Sequence, residues 1–143
     1  EAQLKKGSIK LHIKNLEHLP NVTVKPQQLH QVFLNIISNA RYALNQKYPG
    51  QHKDKKLDIT GEKVLIDDKP FIRITFHDRG IGIPDEIKDK IMDPFFTTKP
   101  SDKGTGLGLS ISHGIISEHG GKLSIDSIEG EFTRVTIELP LTN

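Results

Sequence analysis

The sequence predicts an α+β fold, a two-layer α/β sandwich with helices packed on one face of a mixed, mostly antiparallel sheet. Three observations predict it. Several short segments alternate apolar with polar residues, the signature of half-buried strands. Two longer segments space their apolar residues by three and four, as an amphipathic helix does. Their order along the chain is strands, helix, strands, helix, strands.

Residues 8–14 alternate Ile9, Leu11 and Ile13 with polar neighbours and form a strand. A short extended segment, 22–24, completes the N-terminal strand region within residues 1–25. Pro26 then opens a long helix, where its missing N–H costs nothing. Leu29, Val32, Phe33, Ile36, Ile37, Ala40, Ala43 and Leu44 make the buried stripe of that helix. Tyr48, Pro49 and Gly50 end it, and the polar residues 51–56 read as an exposed loop. Strands at 57–66 and 71–78 are joined by the turn-prone Asp67, Asp68, Lys69 and Pro70. Pro84, Asp85 and Glu86 start a short helix that carries Ile87 and Ile91 inward, with its acidic residues at the positive end of the helix dipole. A loop at 93–106, rich in Pro, Thr, Lys and Gly, leads to a second long helix over 107–119, stopped by Gly120 and Gly121. Residues 122–127 and 132–139 close the chain as an antiparallel pair.

Composition narrows the function. At 143 residues the chain fits one domain, 1–143, large enough for a real core. With 20 Lys+Arg against 18 Asp+Glu, the net charge of +2 argues against nucleic-acid binding driven by bulk charge. The absence of cysteine excludes disulfides, thiolate metal sites and thiol nucleophiles. No apolar run approaches the roughly 20 residues a membrane-spanning helix needs, and no signal-peptide pattern opens the chain.

The informative residues are polar ones where the pattern calls for apolar. Ile72, Ile74, Phe76 and Asp78 share one strand face, so Asp78 points toward the core at the strand's end. A carboxylate there must be hydrogen-bonded, either to cap the following turn or to hold a ligand. Thr133 shares a face with Val135, Ile137 and Leu139 and brings a hydroxyl to the core side. On the first long helix Gln31, Asn35, Asn39 and Tyr42 form a polar ridge beside the apolar stripe. That ridge is either a partly solvated edge or a set of neutral oxygen donors suited to Mg²⁺. Gly80 and Gly82 follow Asp78, and Gly104, Gly106 and Gly108 lead into the second long helix as GTGLGLS. Glycines admit close backbone approach, and a helix N-terminus offers N–H groups to phosphate. A dinucleotide-binding reading of GTGLGL fails because loop, not strand, precedes it; no GK[ST] phosphate loop occurs.

In this order, these residues resemble the catalytic ATP-binding domain of bacterial sensor histidine kinases. That family belongs to the superfamily of gyrase, Hsp90 and MutL, whose ATP site is the Bergerat fold. QVFLNIISNARYAL at 31–44 resembles the N box, and DRGIGIP at 78–84 the first glycine box. DPFFTTK at 93–99 resembles the F box, GTGLGLSI at 104–111 the second glycine box, and GEFTRVTIELP the last strand. The resemblance runs from about residue 27 onward, and its F box singles out kinases within the superfamily.

The resemblance implies ATP and Mg²⁺ as cofactors, with Asn35, Asn39 and Lys99 as the catalytic set. Asp78 would accept the adenine amino group, with Thr133 nearby, while Gly80 and Gly82 let backbone approach a base flanked by Ile81 and Ile83. Asn39 would hold the metal and Asn35 would help at the phosphates. Residues 97–105 would form a lid over the triphosphate, including Thr98, Lys99, Lys103, Gly104 and Thr105, with Gly106, Leu107 and Gly108 continuing the phosphate cradle. Lys99 or Lys103 would offset γ-phosphate charge. Many relatives carry a basic residue where this chain has Tyr42; Arg41, beside it, points about 100° away on a straight helix.

Hydrolytic members of the superfamily place a Glu one turn before the magnesium Asn to orient water. Here that position is Asn35, which cannot act as a base, so the resemblance implies slow hydrolysis. None of the 7 His residues lies in the family's phosphoacceptor context, and His113 and His119 read as helix-surface residues. The implied partners are therefore the protein's own dimerisation and His-phosphoacceptor domain, outside this chain, and a response-regulator receiver domain. The resemblance implies no nucleic acid, no membrane contact by this domain, and a cytoplasmic location even where the full-length protein is membrane-anchored. Two alternatives are a chaperone- or repair-type ATPase of the same fold, and a nucleotide-binding module or anti-sigma-like serine kinase.

Overall fold

The structure is a computed structural model that describes residues 2–4, 9–16, 19–20, 22–90 and 108–141. Among the described residues, six strands and three helices follow in the order β1 (Ala2–Leu4), β2 (Ile9–Lys14), α1 (Pro26–Lys47), β3 (Lys56–Ile66), β4 (Lys69–Asp78), α2 (Asp85–Lys88), α3 (Gly108–Glu118), β5 (Lys122–Ile128) and β6 (Phe132–Pro140). The strands form one sheet in the order β1-β2-β3-β4-β6-β5. Only β2 and β3 run parallel, because α1 carries the chain from one end of the sheet back to the other.

Register decides which side chains meet. Leu57, Ile59 and Gly61 of β3 lie opposite Asp78, Phe76 and Ile74 of β4. Those β4 residues in turn lie opposite Thr133, Val135 and Ile137 of β6, and Leu123 and Ser127 of β5 continue the rows. All of these point to one face, where α1 packs on β3 and β4, and α3 packs on β5 and on α1. The α1 stripe of Leu29, Val32, Ile36, Ala40 and Leu44 is buried there. Phe33 meets Phe76 at a ring separation of 5.7 Å, an attractive tilted geometry. The opposite face carries His12, Asp58, His77, Arg73, Arg134 and Glu138 and has no helix over it among the described residues.

The β3–β4 turn is tighter than the sequence predicts. Asp67 and Asp68 alone make it, both with positive φ (51° and 65°), as a two-residue turn matching strand twist requires. Pro70 therefore already belongs to β4. Residues 22–24 belong to no strand, although Val22 and Val24 pack against the core. β1 escapes sequence reading because three residues carry no period. The helix at Asp85–Lys88 is a single turn without a buried residue; Ile87 is half-buried, and Ile91 lies outside the described residues.

Two polar residues are less exposed than their type predicts. Lys55, in the segment read as an exposed loop, is fully buried. Its carbonyl accepts the Lys10 N–H at 3.1 Å, extending the β2 ladder, and this pins the side chain inside, where Nζ donates to Gly50 O at 3.2 Å. His119 is half-buried rather than a plain surface residue. Its Nε2 accepts the Lys25 N–H at 3.1 Å, so Nδ1 carries the proton and donates to Ile115 O at 2.8 Å. The end of α3 thereby caps the start of α1, which lacks a side-chain cap of its own residues. His113 is exposed, as expected.

Gly114 sits inside α3, and apart from its chain neighbours and the helix's own backbone no atom lies within 4 Å of where a Cβ would stand. Gly114→Ala should therefore raise stability by about 0.4–1 kcal/mol. Urea unfolding of the two proteins, compared at equal m-value, checks this.

Candidate functional site

The candidate site lies where the C-terminal end of β4 meets α1 and the β5–β6 hairpin. Asp78 is the last residue of β4 and faces the helical layer with only 4 % of its surface exposed. Burial pushes its carboxyl up to about 7, against the opposing pull of the Gly80 N–H and the Lys47 ammonium. Gly80 N donates to Oδ1 at 2.9 Å, so one carboxylate oxygen does hold the following turn. Across the ladder lies Thr133, whose hydroxyl is 3.0 Å from Ser127 Oγ.

The residues after Asp78 thread between two backbones. Ile81 N donates to Ala43 O of α1 at 3.3 Å, and Gly130 N of the β5–β6 turn donates to Ile81 O at 2.6 Å. A Cβ on Gly80 would stand 2.7 Å from the Ala43 backbone, and one on Gly82, which has φ +70°, would strike the Ile128 carbonyl. Only glycine fits either position. The resemblance assigns these glycines to a base; the atoms that approach them in the structure are the protein's own.

Ser127 is the joint of this region, and sequence reasoning missed it. It is buried, accepts the Ile83 N–H at 2.8 Å and lies 2.7 Å from Phe132 O, to which it donates. Lys88 Nζ bonds to its carbonyl, and Lys47 Nζ donates to Gly130 O at 2.7 Å. A hydroxyl at a core-facing position of β5, beside Thr133, is the signal that could have found it.

On the flank of α1, Asn35, Asn39 and Tyr42 are half-buried while Arg41 is exposed, so the helix turns Tyr42 rather than Arg41 toward the interior. Asn35 Nδ2 donates to Ser112 Oγ at 3.3 Å; Ser112, fully buried on α3, also went unnoticed in the sequence. Gly108 opens α3. Thr98, Lys99, Lys103, Gly104, Thr105, Gly106 and Leu107 lie outside the described residues, as does the F box at 93–99. Among the described residues, no group of three or more His, Cys, Asp or Glu is arranged to hold a metal ion.

The site thus combines a buried strand-end carboxylate and a glycine segment clamped by α1 with an amide ridge on the same helix. The chain matches, over residues 24–143, the family described as histidine kinase-, DNA gyrase B- and HSP90-like ATPase, and it belongs to that family. It is 33 % identical over 140 residues to sporulation kinase E of Bacillus subtilis strain 168, covering 98 % of this chain and 17 % of that protein. It is 35 % identical over 133 residues to the sensor histidine kinase ZraS of Escherichia coli strain K12, covering 93 % and 26 %. The chain thus spans about a quarter or less of either protein. A nucleotide-free form of the catalytic domain of histidine kinase ThkA superposes with a TM-score of 0.72 at 33 % identity, covering 94 % of this chain and 82 % of that one. The mycobacterial sensor histidine kinase MprB shares the fold, with a TM-score of 0.72 at 24 % identity over 92 % of this chain and 81 % of that one.

Asp78 generates a pH prediction. Its folded pKa, about 7, lies above the ordinary carboxylate value, so the folded state binds the proton more tightly than the unfolded chain. Its contribution is therefore favourable at acid pH and is lost as pH rises from about 4 through about 7. In the nucleotide-free protein, Asp78→Asn should flatten that slope and leave the variant more stable at pH 8 by roughly 1–3 kcal/mol. Urea titrations at pH 5 and pH 8 measure it; an unchanged slope contradicts it. Ser127→Ala should cost about 1–3 kcal/mol, since it leaves the Ile83 N–H and the Thr133 hydroxyl without that partner.

Proposed function

We propose that this chain is the ATP-holding catalytic domain of a two-component sensor kinase, which presents the γ-phosphoryl group of Mg-ATP to a histidine on the protein's own dimerisation domain. The observation that carries the proposal is Asp78, a carboxylate buried at a strand end, aimed at the helical layer and held by its own glycine turn. Oδ1 holds the turn, and the other oxygen remains to accept the adenine amino group, with Thr133 and Ser127 supplying hydroxyls at the same edge. Asn39 fits Mg²⁺ because a half-buried neutral oxygen suits a cation that keeps its waters and phosphate ligands. Asn35, tied to Ser112, orients the ridge without being able to take a proton from water. Lys99 or Lys103, with Thr98, Gly104, Thr105, Gly106 and Leu107, would form the lid and phosphate cradle, ending in Gly108 at the start of α3.

When bound, ATP supplies the phosphoryl group, which passes to an imidazole nitrogen and leaves ADP. The chain's residues position the donor and balance its charge, the main requirements of a loose phosphoryl-transfer transition state. The receiver domain of a response regulator would take the group next. A cytoplasmic setting, where ATP is abundant, suits this reading, and it needs neither nucleic acid nor membrane contact. Among the described residues no helix is long and apolar enough to cross a membrane.

The test mixes the chain with a matching His-bearing dimerisation domain and γ-labelled ATP. Acid-labile label on that domain is the expected result; acid-stable label on a partner, or none, overturns the proposal. ATP hydrolysis by the chain alone should stay below roughly one turnover per second, the low end of enzyme rates. Asn39→Asp should alter the Mg²⁺ dependence of nucleotide binding in a titration; unaltered dependence removes the metal assignment.

A further inference from the structure

The face of the sheet that has no helix over it among the described residues carries a concavity. Register sets His12, Asp58, His77, Arg134 and Asp126 in one row across β2, β3, β4, β6 and β5. A cavity of about 360 Å³ lies over the first three, lined by His12, Lys14, Lys56, Asp58, Thr60 and His77. That volume falls within the range of small-molecule sites. His77 and Asp78 are successive residues of β4, so this cavity and the nucleotide site lie on opposite faces of one strand end.

The charges on this face are not all matched. Arg73 pairs with Glu138 at 2.8 Å and Glu62 at 3.7 Å, Arg134 with Asp126 at 3.7 Å, and His12 with Asp58 at 3.7 Å. Lys14 and Lys56 make no ion pair among the described residues. They stand at opposite ends of the cavity: Lys14 pairs in register with Thr60, whereas Lys56 pairs with Lys10. About 13 Å of strand separates them. Between them lie one carboxylate, Asp58, and two imidazoles. Burial and the nearby Arg134 and Arg79 outweigh Asp58 and push the His77 ring down, which keeps it neutral and able to donate or accept.

The pattern is a cation at each end and an acceptor in the middle. The His–Asp–His row invites comparison with a divalent-metal site, but two flanking ammonium groups oppose a dication and the donors do not converge on one point. We propose that this cavity binds a small polyol or sugar bearing an acidic group at each end. The acidic ends meet Lys14 and Lys56, and the hydroxyls between them donate to Asp58 and exchange hydrogen bonds with His12, His77 and Thr60.

The test follows the His12 and His77 ring signals by NMR while the chain is titrated at constant ionic strength. Fructose 1,6-bisphosphate and glucarate serve as two-ended probes, the first ending in phosphates and the second in carboxylates. At least one should give saturable shifts of both rings, which persist when Mg-ADP is present at saturation; the pair together identifies the end group. Inorganic phosphate, and separately the variants Lys14→Gln and Lys56→Gln, should bind at least about tenfold more weakly. Both lysines lie on the surface of the sheet, and unchanged amide spectra confirm that the variants fold. Shifts no larger than those from KCl, equal affinity in the lysine variants, or a response to Zn²⁺ alone would each overturn the proposal.

Discussion

A carboxyl group buried at the end of β4 is the constraint around which the helical side of this domain is arranged. Taken from water without partners, Asp78 would cost several kcal/mol, and its raised pKa records that the cost is only partly offset. The offset comes from the Gly80 N–H and the Lys47 charge, and both depend on distant chain. Gly80 can reach back only because the absence of a side chain lets it lie against Ala43 of α1. Lys47 stands at the end of that same helix and is fixed by the Gly130 carbonyl. One acidic residue thus links β4, α1 and the β5–β6 hairpin.

The sheet separates two kinds of chemistry. Its helical face is apolar except at one edge, where Asp78, Thr133 and Ser127 gather, and there the fold tolerates polar groups because they bond to one another. Its other face is a charged surface with cross-strand ion pairs of small individual worth. The α1–α3 contact adds a second polar joint, Asn35 to Ser112, and the His119–Lys25 bond a third. The two helices therefore carry the amide ridge and Gly108 on one connected layer.

Most of the fold is legible in the sequence because side chains record the two periods that matter. Ile72, Ile74 and Phe76 announce their face, and so Asp78, in phase with them, announces its anomaly. What stays illegible is set by backbone position. Lys55 is buried because its carbonyl continues a ladder, which polarity cannot reveal. The parallel β2–β3 pairing depends on where α1 lands, and β1 is too short to show a period. Within the site, Asp78, Thr133 and the amide ridge stand out as polar residues in apolar phase. Ser127 and Ser112 do not, since a small hydroxyl passes unnoticed in either environment until its partners are known.

In the proposed function, Asp78 accepts the amino group of a purine. Titration calorimetry with Mg-ATP and with its inosine counterpart, which carries a carbonyl oxygen in place of that amino group, tests this most directly. At pH 8, above the Asp78 pKa of about 7, the carboxylate facing the base should favour ATP by at least about a hundredfold, because the inosine base sets an acceptor against an acceptor. Equal affinity for the two nucleotides would contradict it.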